Sequence, residues 1–260
     1  MQLNGSAFAL ALYEYGPRHP GSALFRKFYS ATTGLFQSLG IQPTFIAAEG
    51  EGYSGKFAKF GGKTRMRLLE SDFSGISVLS LGANPSNSDS PAYDSFAMAS
   101  LSYVGADEEL LLCLVVNEAF VKLRSERCDA IVSDLARFHH WDFGYGFSGD
   151  AADQPELYIL GMDNGRLSKE EQRLLNAWYT APADVRVRRL RDLYPYNLLN
   201  EEQLDRETSP GVRLKDFIKR QPGCTLTPVS DNGLYQWKVS DDTTLSHLRE
   251  RLCGASVLVR

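Results

Sequence analysis

Little in this sequence of 260 residues announces a chemistry, and the absences come first. There are four cysteines, Cys113, Cys128, Cys224 and Cys253, at irregular spacings and with no C-x-x-C pair. Neither a zinc site nor a disulfide framework is written in that spacing, so the four read as buried thiols of a reducing cytoplasm. No apolar run approaches the about 20 residues that a membrane-crossing helix needs. The apolar run Ala7–Tyr13 reads as a strand rather than a secretory leader, because no Lys or Arg precedes Arg18 and Glu14 interrupts it. Charge of one sign is also missing. With 28 Lys and Arg against 32 Asp and Glu, the net charge of −4 predicts neither a nucleic-acid nor a membrane partner from bulk electrostatics.

Catalytic signatures are equally sparse. Neither G-x-S-x-G nor H-E-x-x-H occurs, which leaves acyl transfer and metalloprotease chemistry without support. His139 and His140 adjoin Asp142, but neighbouring histidines at a helix end diverge and rarely share a metal; His19 and His247 stand alone. The sequence therefore predicts no catalytic residue, no metal ligand and no cofactor. Gly144-Tyr145-Gly146-Phe147-Ser148-Gly149 satisfies G-x-G-x-x-G literally. A dinucleotide fingerprint must follow a strand and open a helix, whereas here a helical pattern precedes and acidic residues follow, so the expectation is a loop turn. Gly61-Gly62-Lys63-Thr64 looks like the end of a phosphate-binding loop, but Phe57 stands where its first glycine belongs.

What is present is an ordinary globular composition, with 43% hydrophobic and 23% charged residues. Periodicity predicts strands over 6–14, 44–48, 75–81, 93–104 and 109–116, and helices over 22–39 and from an Asn117 cap through Phe138. The Gly-rich stretch 50–62 reads as loop, and a further loop is expected at 83–91 and a tight turn at 105–108. Further on, 156–160 reads as a strand, and Ser168 with Glu171 forms a capping box for a helix. The period does not decide between strand and helix over 185–194. Asn200 caps a short helix, 212–219 makes another, and 225–229 with 234–239 forms a hairpin around Ser230-Asp231-Asn232-Gly233. Asp241 or Asp242 caps a final helix, and a strand is expected over 255–259. The fold class expected is α+β: two closely packed, sandwich-like halves, mainly antiparallel, with helices on one face. The halves are 1–140 and 141–260, or one continuous unit.

Two stretches concentrate charge and rings. Residues 141–171 carry seven acidic residues against Arg166 and Lys169, a net −5. Trp141, Phe143, Tyr145, Phe147 and Tyr158 are interleaved with them, a mixture suited to attracting and holding a basic protein. The candidate partner-binding residues are Trp141, Tyr145 and Phe147 as anchors, with Asp142, Asp150, Asp153, Glu156 and Asp163 as charge partners. The competing reading is an acidic loop whose rings lie in the core. Residues 56–67 carry Lys56, Lys59, Lys63, Arg65 and Arg67 around Phe57 and Phe60, and read as a solvated charged face ahead of a nucleic-acid surface. The run Arg186, Arg188, Arg189 and Arg191 reads the same way, or as internal partner of the acidic stretch.

Leu190-Arg191-Asp192-Leu193-Tyr194-Pro195-Tyr196-Asn197-Leu198-Leu199, then Gln203-Leu204 and the hairpin, helix and strand at the end, give the second half its character. In this it resembles bacterial immunity proteins of polymorphic-toxin and type VI secretion systems. The resemblance implies a cytoplasmic α+β protein that binds a cognate toxin effector, several of which are nucleases, and neutralises it without chemistry. It carries no residue-level assignment. Membrane and direct nucleic-acid binding are not expected. The alternative is an α/β enzyme or small-ligand module with a site where the two halves meet.

Overall fold

The computed structural model describes residues 5–16, 19–84, 95–104, 109–162, 165–229 and 233–259. The expected turns at 105–108 and 230–232, most of the 83–91 loop, and Asp163 lie outside the described residues. In chain order the elements are β1 (Ser6–Tyr15), α1 (Ser22–Ser38), β2 (Phe45–Gly50), β3 (Tyr53–Ser54), β4 (Ala58–Lys59), α2 (Lys63–Glu70), β5 (Ile76–Ala83), β6 (Ala97–Val104), β7 (Glu109–Asn117), α3 (Glu126–Ala136) and β8 (Phe143–Asp150). They continue with α4 (Pro155–Ile159), α5 (Lys169–Thr180), α6 (Ala183–Arg188), β9 (Tyr196–Leu199), α7 (Glu201–Leu204), β10 (Glu207–Ser209), β11 (Val212–Arg213), α8 (Leu214–Lys219), β12 (Cys224–Pro228), β13 (Tyr235–Val239) and α9 (Asp242–Leu252).

The class is α+β, and every strand pair described is antiparallel. Two compact units emerge, one of Met1–Ala9, Gly16–Val121 and Gly149–Glu156, the other of Leu10–Tyr15, Lys122–Ser148 and Leu157–Arg260. The main division falls near Val121, ahead of the expected 140/141 boundary, because α3 belongs with the second unit.

In the first unit the hydrogen-bonded order is β1 through Ala9, then β7, β6, β5, β2 and β3, with β4 also pairing with β2. β7 is buried along nearly its whole length, so its residues read as an apolar run rather than an alternation. α1 buries Phe25, Phe28, Thr32 and Phe36 on one stripe, and Gly40 at φ +72° ends it as expected. In the second unit the order is β12, β13, β9, β8 and the remainder of β1. Trp178, Trp237, Tyr196 and Phe143 are among its fully buried side chains.

Several local expectations give way. The segment expected as a glycine loop is strand β8, and Gly144 is there for packing. A Cβ at that position would meet Leu12 Cδ2 at 2.5 Å and the Ala11 carbonyl oxygen at 2.8 Å. The apolar run 156–160 forms helix α4 rather than a strand, because Pro155 takes the first helical position and pre-sets its φ. Ser125, not Asn117, caps α3, accepting the Cys128 N–H at 3.2 Å; Asn117 instead accepts the Ala119 N–H in a turn. The Gly-rich stretch contains β3 and β4 and runs into α2. Residues 255–259 make only an isolated parallel bridge, Leu258 with Leu190, in place of a strand. Cys113 and Cys128 are buried, but Cys224 is half-buried and Cys253 is exposed.

Candidate partner-binding surfaces

The acidic, aromatic stretch comes apart when its side chains are followed one by one. Trp141 is 2% exposed and Tyr145 is 0% exposed, so neither offers surface to a partner, and both are corrected here from anchors to core. The Trp141 indole N–H donates to the Leu135 carbonyl at 3.0 Å, which satisfies its one polar atom. The Tyr145 hydroxyl meets that of Tyr13 at 3.1 Å, and its ring stacks on Tyr194 at 4.3 Å between centroids. Phe147 is half-buried against Tyr145, Tyr158 and Tyr194. Of the proposed anchors, then, the structure brings Tyr145 and Phe147 together, but in a ring cluster rather than on a face.

The carboxylates have separate tasks. Asp142 Oδ2 accepts the Tyr15 N–H at 2.8 Å, and burial raises its pKa. Burial likewise pushes up the carboxyl of Glu156. Asp150 is exposed, with one oxygen accepting the Ala152 N–H at 2.9 Å to cap the short turn that follows β8. Asp153 is half-buried.

The arginine run is equally heterogeneous. Arg188 pairs with Glu202 at 2.8 Å on the surface, as a solvated face predicts. Arg191 is 3% exposed and sits in a cage of rings, its guanidinium 4.0 Å from the centroid of Tyr158, 5.3 Å from Tyr145 and 5.4 Å from Tyr179. It donates to the Tyr145 hydroxyl and to the Tyr158 carbonyl, the latter at 2.9 Å. Burial pushes the Tyr145 and Tyr194 hydroxyls well above their ordinary values. No sequence pattern marks Arg191 out from its neighbours; the only signal is the density of tyrosines at 145, 158, 179 and 194.

The basic stretch behaves in the opposite way. Arg65 Nε donates to the Tyr29 hydroxyl at 2.6 Å, and its guanidinium lies 5.0 Å from the Phe60 centroid. Arg67 lies 4.5 Å from the Tyr53 centroid and donates to the Gly52 carbonyl at 2.8 Å. Lys56, Lys59 and Lys63 are exposed. Beside them Phe57, Met66 and Leu69 are 43%, 55% and 44% exposed.

Within the second unit a groove of about 520 Å³ runs between α3 and the β12–β13 hairpin. Asp129, Ser133 and Arg137 recur every four residues along α3, facing the cross-strand pairs Thr225/Lys238 and Thr227/Gln236. Asp129 accepts from Lys238 at 2.6 and 2.7 Å and from the Tyr196 hydroxyl at 2.6 Å. Elsewhere His139 pairs with Glu14 at 2.8 Å. Among the described residues no group of three His, Cys, Asp or Glu side chains is placed to hold a metal ion, and no helix is long and apolar enough to cross a membrane.

No protein-family model matches this sequence, and no curated protein matches it. Among solved structures, the chain is similar in fold to Pseudomonas aeruginosa T6SS protein PA0821, with 13% sequence identity and a TM-score of 0.64. The similarity covers 98% of this chain and 73% of that one, so the two share an architecture from end to end of the chain described here.

Proposed function

We propose that this protein is an immunity protein of a type VI secretion system, which binds a cognate toxin effector in the cytoplasm and neutralises it by covering its active site. The observation that carries the reading is the likeness in fold, over 98% of the chain, to a protein of that secretion system. The family resemblance of the second half points the same way. Neutralisation of this kind works by binding: affinity comes from a few desolvated anchors, and complementary charge supplies a fast encounter.

Of the carboxylates in the acidic stretch, Asp150 and Asp153 are the charge partners for a basic effector. Asp150 is exposed, whereas Asp142 is committed to the Tyr15 N–H. A nuclease effector, whose cleft must grip phosphates, has the complementary sign. The test is to express the effector encoded beside this gene with and without this chain. Survival that requires this chain, and that falls on Asp150→Lys with Asp153→Lys, supports the reading. Equal killing with and without the chain overturns it. Survival that requires this chain but is retained on the charge reversal moves the contact to another face.

A second reading, a small-ligand module, draws on the groove of about 520 Å³, whose hydroxyls and Arg137 suit a hydroxylated anionic molecule. In that groove Asp129 is held by Lys238 and Tyr196.

A further inference from the structure

Residues 56–67 hold five cations and no acid, in a chain whose net charge is −4. Among the described residues none of the five makes an ion pair, while Arg26, Arg124, Arg173, Arg188, Lys215 and Lys238 all do. Among the described residues, three of the six large apolar side chains that stand out into solvent come from this stretch and the helix it enters: Phe57, Met66 and Leu69. On α2, Leu68 points inward and is 0% exposed, which turns Met66 and Leu69, three residues apart, outward on one stripe with Lys63. Two of its cations are held in place: Arg65 is clamped to Tyr29 and Phe60, and Arg67 to Tyr53 and the Gly52 carbonyl.

We infer that this α2 face is a second docking surface, and that its occupant is an acidic amphipathic segment of a partner protein. Its carboxylates meet Lys56, Lys59 and Lys63, and its apolar side chains cover Met66, Leu69 and Phe57. Charge complementarity selects an acidic occupant, and the apolar trio selects a polypeptide. Nucleic acid fits less well, because base stacking needs open ring faces. Here Arg65 covers Phe60, Arg67 covers Tyr53, and Phe57 stands edge-on to Phe45 at 5.1 Å. A lipid surface fits less well too, since α2 has eight residues and turns only two apolar side chains outward, short of the apolar face an interfacial helix buries. The surface goes beyond the acidic contact proposed above and stands without it, because its sign and its residues are different.

The experiment uses the full chain and a fluorescein-labelled peptide with Leu at i, i+3, i+4 and i+7 and Glu between, read by anisotropy. Saturable binding that weakens about tenfold on Met66→Glu, and about tenfold on Lys59→Glu with Lys63→Glu, is the expected result. Leu69→Ser is the milder companion variant. Unchanged circular dichroism and urea midpoint identify the variants that retain the fold. Absent binding, or equal binding by all variants, overturns the inference. Tighter binding of a single-stranded oligonucleotide or of phosphatidylserine vesicles, lost in the same variants, also overturns it, as does self-association of the free chain that Met66→Glu abolishes. Failure here leaves effector neutralisation intact, and failure of neutralisation leaves the peptide titration intact.

Discussion

Segments 141–171 and 56–67 look alike as composition, each a mixture of a dominant charge sign with aromatic rings, yet the fold treats them oppositely. In the first, Phe143, Tyr145 and Trp141 are core, Asp150 caps a turn, Asp142 binds backbone and Glu170 pairs with Arg173. In the second, Arg65 covers Phe60, while Phe57, Met66 and, just beyond the segment, Leu69 face solvent. The difference is set by neighbours. β8 pairs with β9, from Phe143↔Leu199 to Gly146↔Tyr196, and its glycines let β1 approach closely, so its rings have nowhere to go but inward. α2 is a short helix with Leu68 as its buried residue; Arg65 and Arg67 turn back onto neighbouring rings, and Lys63, Met66 and Leu69 stay exposed. Composition reports what a surface can bind; strand and helix neighbours decide whether the residues reach a surface.

The comparison breaks first at Trp141. Trp141→Ala is expected to cost about 3–5 kcal/mol in urea unfolding, as for other buried large-to-small changes; a cost under about 1 kcal/mol is what a solvent-facing anchor would give. Next comes Arg191→Met, which strips three rings of their cation and leaves the Tyr158 carbonyl without that donor. About 2–3 kcal/mol should be lost, measured by the same unfolding curves. By contrast, Met66→Ser should shift stability by no more than about 0.5 kcal/mol, because Met66 is 55% exposed.

The smallest effect is a pH dependence at Glu156. Its carboxyl is raised by burial, so the folded state holds the proton more tightly than the unfolded chain and stability rises as pH falls through the folded pKa. Glu156→Gln should therefore be slightly more stable than the parent at pH 7, with the gap closing on acidification. Asp241 has the opposite sign. Hydrogen bonds from Ser240 and Thr244 hold it at about 2, so its contribution is full above the ordinary carboxylate range and fades as pH falls towards about 2. Parallel melts of the two single variants, Glu156→Gln and Asp241→Asn, from pH 7 to pH 2.5 separate the two signs.

Elements written in local code were legible in the sequence. α1 with its Gly40 exit, the Ser168/Glu171 capping box, the Asn200 cap, the β12–β13 pairing and a cap of α9 at Asp241 or Asp242 all follow from residues within a turn of one another. What depended on distant neighbours was not. β8 carries three glycines and reads as a loop until Leu12, Ala11 and Leu198 are packed against Gly144. The apolar stretch after Pro155 has strand composition, but one proline decides for a helical turn. Of the candidate site, Asp150 keeps the exposure its sequence context suggested, whereas Trp141 and Tyr145 do not, since burial of a ring is decided by partners at 135, 13 and 194. The exposed stripe of α2 was hidden for the converse reason: a run of lysines and arginines masks a Met and a Leu that only the helical turn places side by side.

The claim that this protein works by gripping another polypeptide is tested most directly by titration calorimetry of the purified chain into the effector encoded beside its gene, at physiological salt. The account predicts a saturable one-to-one complex that abolishes the effector's activity at the same molar ratio. Full effector activity in the presence of excess chain, with no heat of binding, contradicts it.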